Sequence, residues 1–107
     1  MIVKNEEVKF ITVGEGVERK ILATGGSMMT VEVRFKKGGI GAVHTHPHEQ
    51  VSYVLEGSFE FDLEGEKHII KAGDTYYIKP NQAHGVVALE DSVILDIFTP
   101  QREDFLK

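Results

Sequence analysis

His44-Thr45-His46-Pro47-His48-Glu49-Gln50 is the stretch on which the reading of this chain turns. It holds three of the 5 histidines. Neutral imidazole offers a lone pair near physiological pH, which makes histidine the commonest metal ligand. In a strand, residues i and i+2 share a face, so His44 and His46 converge as a bidentate pair would. Pro47 interrupts the strand, and this parity does not carry through to His48 and Gln50. A fourth histidine, His84, closes the run Pro80-Asn81-Gln82-Ala83-His84-Gly85. It supplies a third ligand only if the two segments are neighbours in the fold. The plain alternative is a set of polar loop residues with no ligand.

Outward from this stretch, short strand-like runs alternate with glycine turns. Runs are expected at 8–13, 19–24, 28–35, 51–55, 58–64, 67–71, 75–79, 86–89 and 93–98. Phe59, Phe61 and Leu63 alternate with Glu60, Asp62 and Glu64, which gives one core face and one wet face. Val31, Val33 and Phe35 alternate with Glu32 and Arg34 in the same way. Pro80 marks a loop, because proline cannot donate to a sheet ladder. No window shows a sustained helical period, and the tail 102–107 has room for one turn. Short strands at a spacing of about 8–12 residues read as an all-β sandwich or barrel.

The chain of 107 residues is read as one domain, 1–107. Its formal charge of −5 comes without a basic stripe, which argues against binding nucleic acid. It has no cysteine, so thiolate zinc sites and disulfides are excluded and a metal must use N and O ligands. No apolar run approaches the roughly 20 residues that span a bilayer. The N-terminus lacks an apolar signal-like segment, and the expectation is a cytoplasmic protein. His68 lies among charged residues and reads as exposed. His48 reads as a surface residue or a partner of the ligands, and Glu49 as a rim charge.

The last strand, Val93-Ile94-Leu95-Asp96-Ile97-Phe98, is apolar on both faces except for one acid. Asp96 shares a face with Ile94 and Phe98. Burying an unpaired carboxylate is costly, so it needs a reason. It either pairs with a lysine or an arginine such as Arg34 or Arg102, or has a raised pKa suited to proton transfer. Phe98 is core or a stacking wall for a substrate. Arg102, just past Pro100, is a solvated tail charge or a fork for a carboxylate.

The spacing Gly38-x5-His44-x-His46-x3-Gln50-x6-Gly57 resembles the first motif of the cupin family. Gly73 and His84 resemble the second, with Lys79, Asn81 and Ala88 where proline, glycine and asparagine are usual. The resemblance implies a cupin jelly-roll β-barrel with its core barrel at about 28–99. It implies His44, His46, Gln50 and His84 as ligands of one divalent transition metal (Zn, Ni, Fe, Mn or Cu). Gln50 stands where glutamate is usual. A neutral amide leaves the metal with more positive charge, a stronger Lewis acid that is held less tightly. The heptapeptide, Tyr53-Val-Leu-Glu-Gly57 and Asp96-Ile-Phe98-Thr-Pro-Gln-Arg102 together resemble the KdgF cupins of pectin and alginate breakdown. That likeness implies an enzyme that converts 4,5-unsaturated monouronates to the linear 5-keto form, with Asp96, Phe98 and Arg102 near a sugar-acid substrate. A quercetinase-like dioxygenase and a non-catalytic sugar- or metabolite-binding cupin are the alternatives. Sheet edges are commonly covered by pairing, and cupins are commonly dimers, so a homodimer is expected.

Overall fold

The computed structural model describes residues 1–107. Ten strands follow in order: β1 (Ile11–Gly14), β2 (Val17–Gly25), β3 (Met28–Phe35), β4 (Ile40–His44), β5 (Glu49–Glu56), β6 (Ser58–Leu63), β7 (Glu66–Lys71), β8 (Thr75–Ile78), β9 (His84–Ala88) and β10 (Ser92–Thr99). Single 3-10 turns precede and follow them at Asn5–Glu7 and Glu103–Phe105. No helix is long and apolar enough to cross a membrane.

The strands form two antiparallel sheets, a six-stranded one in the order β1-β2-β3-β10-β5-β8 and a four-stranded one in the order β4-β9-β6-β7. Their inner faces pack against each other as a β-sandwich, the all-β architecture expected. Alternation decides what goes inside. Phe59 and Phe61 are buried on β6, as are Val54, Ser52 and Gln50 on β5. Phe35 and Phe59 meet edge to face at 5.1 Å and anchor one cluster with Val17, Val54, Ala88 and Ile94. Burying each of these large side chains stabilises the fold by roughly 1.5–3 kcal/mol. A second cluster, Met29, Val31 and Phe98, sits at the other end with Phe105 against it.

Two local differences from the sequence reading matter. The first strand starts at Ile11, because the chain before it makes a 3-10 turn and then covers β2. Lys20 is clamped there by the Asn5 backbone and side-chain oxygens and by the Phe10 ring. The second difference concerns the histidines. β4 ends at His44, and Thr45–His48 lie outside any strand, so strand parity does not bring His46 to His44. Gly57 closes the β5–β6 turn at φ +80°, where a Cβ would come within 2.0 Å of Ser92 Oγ.

Candidate active site

Three imidazoles meet where the two sheets open. The β4–β9 register sets His44 directly opposite His84, with ring centroids 4.5 Å apart. Gly85 makes that approach possible, since a Cβ there would lie 2.9 Å from the Gly41 carbonyl oxygen and from the Val43 amide nitrogen. His46 turns in from the loop after β4, its ring 4.8 Å from that of His84 and 5.5 Å from that of His44. One ligand atom from each of the three lies within 4.8 Å of the others.

The hydrogen bonds fix the tautomers of His44 and His84. His44 Nδ1 faces the Ala42 carbonyl and His84 Nδ1 the Gln82 carbonyl, both at 2.8 Å. A carbonyl only accepts, so Nδ1 carries the proton and Nε2 keeps its lone pair. His46 has an acceptor at each ring nitrogen, the His48 carbonyl 3.2 Å from Nδ1 and Gln50 Oε1 2.9 Å from Nε2, and a neutral ring has one proton for the two. The amide of Gln50 cannot be turned around. Its nitrogen donates to Ser52 Oγ (2.9 Å) and to Asp96 Oδ1 (3.2 Å), and a carboxylate accepts only. With the His46 proton on Nδ1, the lone pairs of His46 Nε2 and Gln50 Oε1 point at one another. A cation between them would satisfy both, and this donor set of imidazole and amide oxygen fits a divalent transition metal. Burial pushes His84 down to about 4, its bond to the Gln82 carbonyl opposing. Burial lowers His46 in the same direction. Both are neutral and able to ligate at pH 7.

Beside the imidazoles runs a polar row. Register pairs Asp96 with Ser52 and Ser52 with Tyr76 across β10, β5 and β8, with all three side chains on the inner side. Ser52 Oγ donates to Asp96 Oδ1 at 2.6 Å. Asp96 makes no ion pair: Arg34 pairs with Glu18 and Arg102 with Asp104. The pairing with Arg34 or Arg102 considered from the sequence is absent. Burial pushes the Asp96 carboxyl up to about 6, against the bonds from Ser52 and Gln50 and the charge of Arg102. Tyr76 stacks on Phe61 at 4.2 Å, and burial followed by the Asp96 charge raises its hydroxyl.

The tail after β10 straps the mouth. Gln101 donates to Thr24 Oγ1, and its carbonyl faces His48 Nε2 at 3.1 Å. His48 thus stays outside the imidazole group and holds the strap. Arg102 is buried, lies over Phe98 and Phe105, and forks onto Asp104 at 3.1 and 3.0 Å. The cavity beneath, of about 170 Å³, is lined by His44, His84, Gln50, Asp96, Phe98 and Arg102 among others. A larger groove of about 830 Å³, walled by Glu15, Glu18, Arg34 and Lys36, lies elsewhere and reaches none of the histidines. The smaller cavity, which holds His44, His84 and Asp96, is the candidate site. Glu49 lies on the surface bonded to Tyr77, and exposed His68 lies beside Glu66.

The cupin domain family matches residues 31–98. The pectin degradation protein KdgF of Dickeya dadantii (strain 3937) is 47% identical over 104 residues, 95% of this chain and 94% of that protein. The chain is a cupin of the KdgF family. The solved structure of KdgF from Halomonas sp. superposes on this KdgF-family cupin with a TM-score of 0.94 at 40% identity, covering 98% of this chain and 97% of that one. An RmlC-like cupin from Shewanella frigidimarina gives 0.93 at 36% identity, covering 97% and 94%. Sequence reading missed Tyr76 and Arg19, which line this cupin's cavity, and Ser52, which is buried behind it against Asp96. A polar residue between Gln50 and Val54 at inward parity was the available signal for Ser52. Arg19 and Tyr76 gave none without knowing which strands are neighbours.

Proposed function

We propose that this KdgF-family cupin is a metal-dependent enzyme of uronate catabolism. It converts 4,5-unsaturated monouronates to the linear 5-keto form by ring opening and tautomerisation. The observation that carries the reading is the three-imidazole group, of which His44 and His84 line one small cavity with Asp96. Likeness to a pectin degradation protein along nearly its whole length supports the substrate class. His44, His46, His84 and Gln50 Oε1 would hold the metal, which when bound supplies Lewis acidity toward substrate oxygens. Imidazole and amide oxygen suit Zn, Ni, Fe, Mn or Cu, and elemental analysis of the purified protein identifies which.

The net change is an isomerisation. The hemiacetal C1–O5 bond opens, the enol at C5 becomes a ketone, and C4 gains a proton. Asp96, raised to about 6, is suited to move that proton near neutral pH. Ser52 and the Gln50 amide orient its carboxylate. Phe98 packs against the sugar, and Arg102, held over Phe98 by Asp104, keeps positive charge at the mouth where a sugar acid enters. The single domain 1–107, with its barrel at about 28–99, acts as a unit in this reading. Val51, Tyr53, Leu55 and Tyr77 stand exposed together on the outer face of β5 and β8. An apolar face of this kind supports a homodimer, which sedimentation would test.

Unsaturated galacturonate, made by lyase digestion of pectate, is the test substrate. With metal supplied, its enol-ether absorbance should decay much faster with protein than in buffer; equal rates would refute the enzyme reading. Binding without turnover would favour a non-catalytic cupin. Asp96→Asn should keep its metal and lose about 10²–10⁴-fold in rate. Full activity in that variant removes Asp96 from the mechanism.

A further inference from the structure

Arg102 is not free in this structure. Its Nε and Nη2 are both given to Asp104, whose own side chain is 59% exposed. A carboxylate entering the cavity meets only what that fork leaves over. The other guanidinium at the mouth belongs to Arg19, on β2, which lines the same cavity as His44, His84 and Asp96. Arg19 stacks on the Phe105 ring at 3.7 Å, and Arg102 lies over that same ring at 4.2 Å. Arg19 forms no ion pair, and its Nε is buried without any hydrogen-bond partner. A buried donor left unsatisfied is costly, and planar guanidinium matches carboxylate geometry bidentately. Burial first, and then the neighbouring charge of Arg102, disfavours the Arg19 cation, with Asp104 opposing. An incoming anion relieves both conditions.

We propose that Arg19 is the carboxylate-positioning residue of this site, supplying the free guanidinium that Arg102, held by Asp104, does not. The proposal rests on the uronate reading for its substrate and extends it to a residue on a different strand. Phe105 is the platform: its ring fixes the plane of the Arg19 fork so that little side-chain freedom is lost on binding.

The test uses the metal-loaded protein, its Arg19→Gln and Arg19→Lys variants, and unsaturated galacturonate alongside its methyl ester. Arg19→Gln should raise KM for the acid by about 10- to 100-fold, the range of a lost charge-assisted hydrogen bond. It should affect kcat less, and leave the ester at its parental KM. Arg19→Lys, which keeps the charge and loses the fork, should recover part of the loss. Parental kinetics for Arg19→Gln on the acid, or an equal loss on acid and ester, overturns the proposal. Failure of the enzyme reading is separable, because calorimetry with galacturonate and its methyl ester needs no turnover. A parental protein that binds the acid better than the ester, with the preference lost in Arg19→Gln, sustains the proposal in an inactive protein. Absence of any preference for the acid in the parental protein overturns it.

Discussion

The amide at position 50 donates where a carboxylate would repel. Its nitrogen lies 3.2 Å from Asp96 Oδ1, so a glutamate there would set two acids against each other. In metal-free protein at neutral pH, Gln50→Glu should cost about 1–3 kcal/mol, the penalty of turning a buried hydrogen bond into an unmet one. Urea unfolding measures it, and an unchanged midpoint would uncouple Gln50 from Asp96. With metal present the same variant should bind the ion more tightly, since a carboxylate replaces a neutral amide. Acid titration of the metal-free protein isolates Asp96 in a second way. Its folded pKa of about 6 lies above the ordinary 3.8, so its contribution to stability is full below 3.8 and is lost as pH rises through 6. His84 runs the other way: lowered to about 4, it contributes above 6.5 and loses that as pH falls through 4. The two slopes oppose each other between pH 4 and 6. Asp96→Asn removes one of them, so its stability relative to the parent should drop by roughly 2–3 kcal/mol from pH 7 to pH 4. Parallel pH curves for the two proteins would sink this account. Asp96 was legible as an acid in an apolar strand. Its partner Ser52 and its neighbour Tyr76 were not, because they reach it only through strand register, which is non-local.

At the level of elements, the pairing of β4 with β9 presents two of the three imidazoles. It depends on a missing side chain at Gly85, where backbone atoms of Gly41 and Val43 lie 2.9 Å from a would-be Cβ. Backbone cannot swing aside as a flexible side chain can. Gly85→Ala should therefore cost about 1–3 kcal/mol, as overpacking does, and should weaken metal binding by moving His44 away from His84. Thermal unfolding with and without metal reads both effects, and parental values in both would show that the strands have slack. The H-x-H spacing anticipated that His44 and His46 meet, but not how. His44 ends a strand and His46 comes from the loop behind it, so they meet by a turn rather than by shared strand face. The tail was legible as a single turn after Pro100. That it straps the mouth, with His48 and Thr24 holding Gln101, depends on contacts far apart in sequence.

Across the whole molecule, the proposed centre is assembled from both sheets. His44 and His84 come from the four-stranded sheet, while Gln50 comes from β5 of the six-stranded one. A bound ion would tie the sheets together, and binding to the folded state alone raises stability by about 2.7 kcal/mol at a hundredfold excess over Kd. Adding the resident metal to stripped protein should raise Tm by several degrees and a chelator should reverse it; an unmoved Tm would argue against a centre that bridges the sheets. The all-β sandwich itself was legible because alternation and glycine turns are local signals, and the two clusters of its core follow from them. The groups that would face a substrate, Arg19, Asp96, Phe98 and Arg102, sit on β2, β10 and the tail, apart from the strands that carry His44 and His84. Heritable change can therefore fall on one half of the site alone. Descendants of such a chain can drift toward new substrates through β2 and the tail while β4 and β9, and Asp96 where it bonds Gln50, stay under purifying selection for the ion.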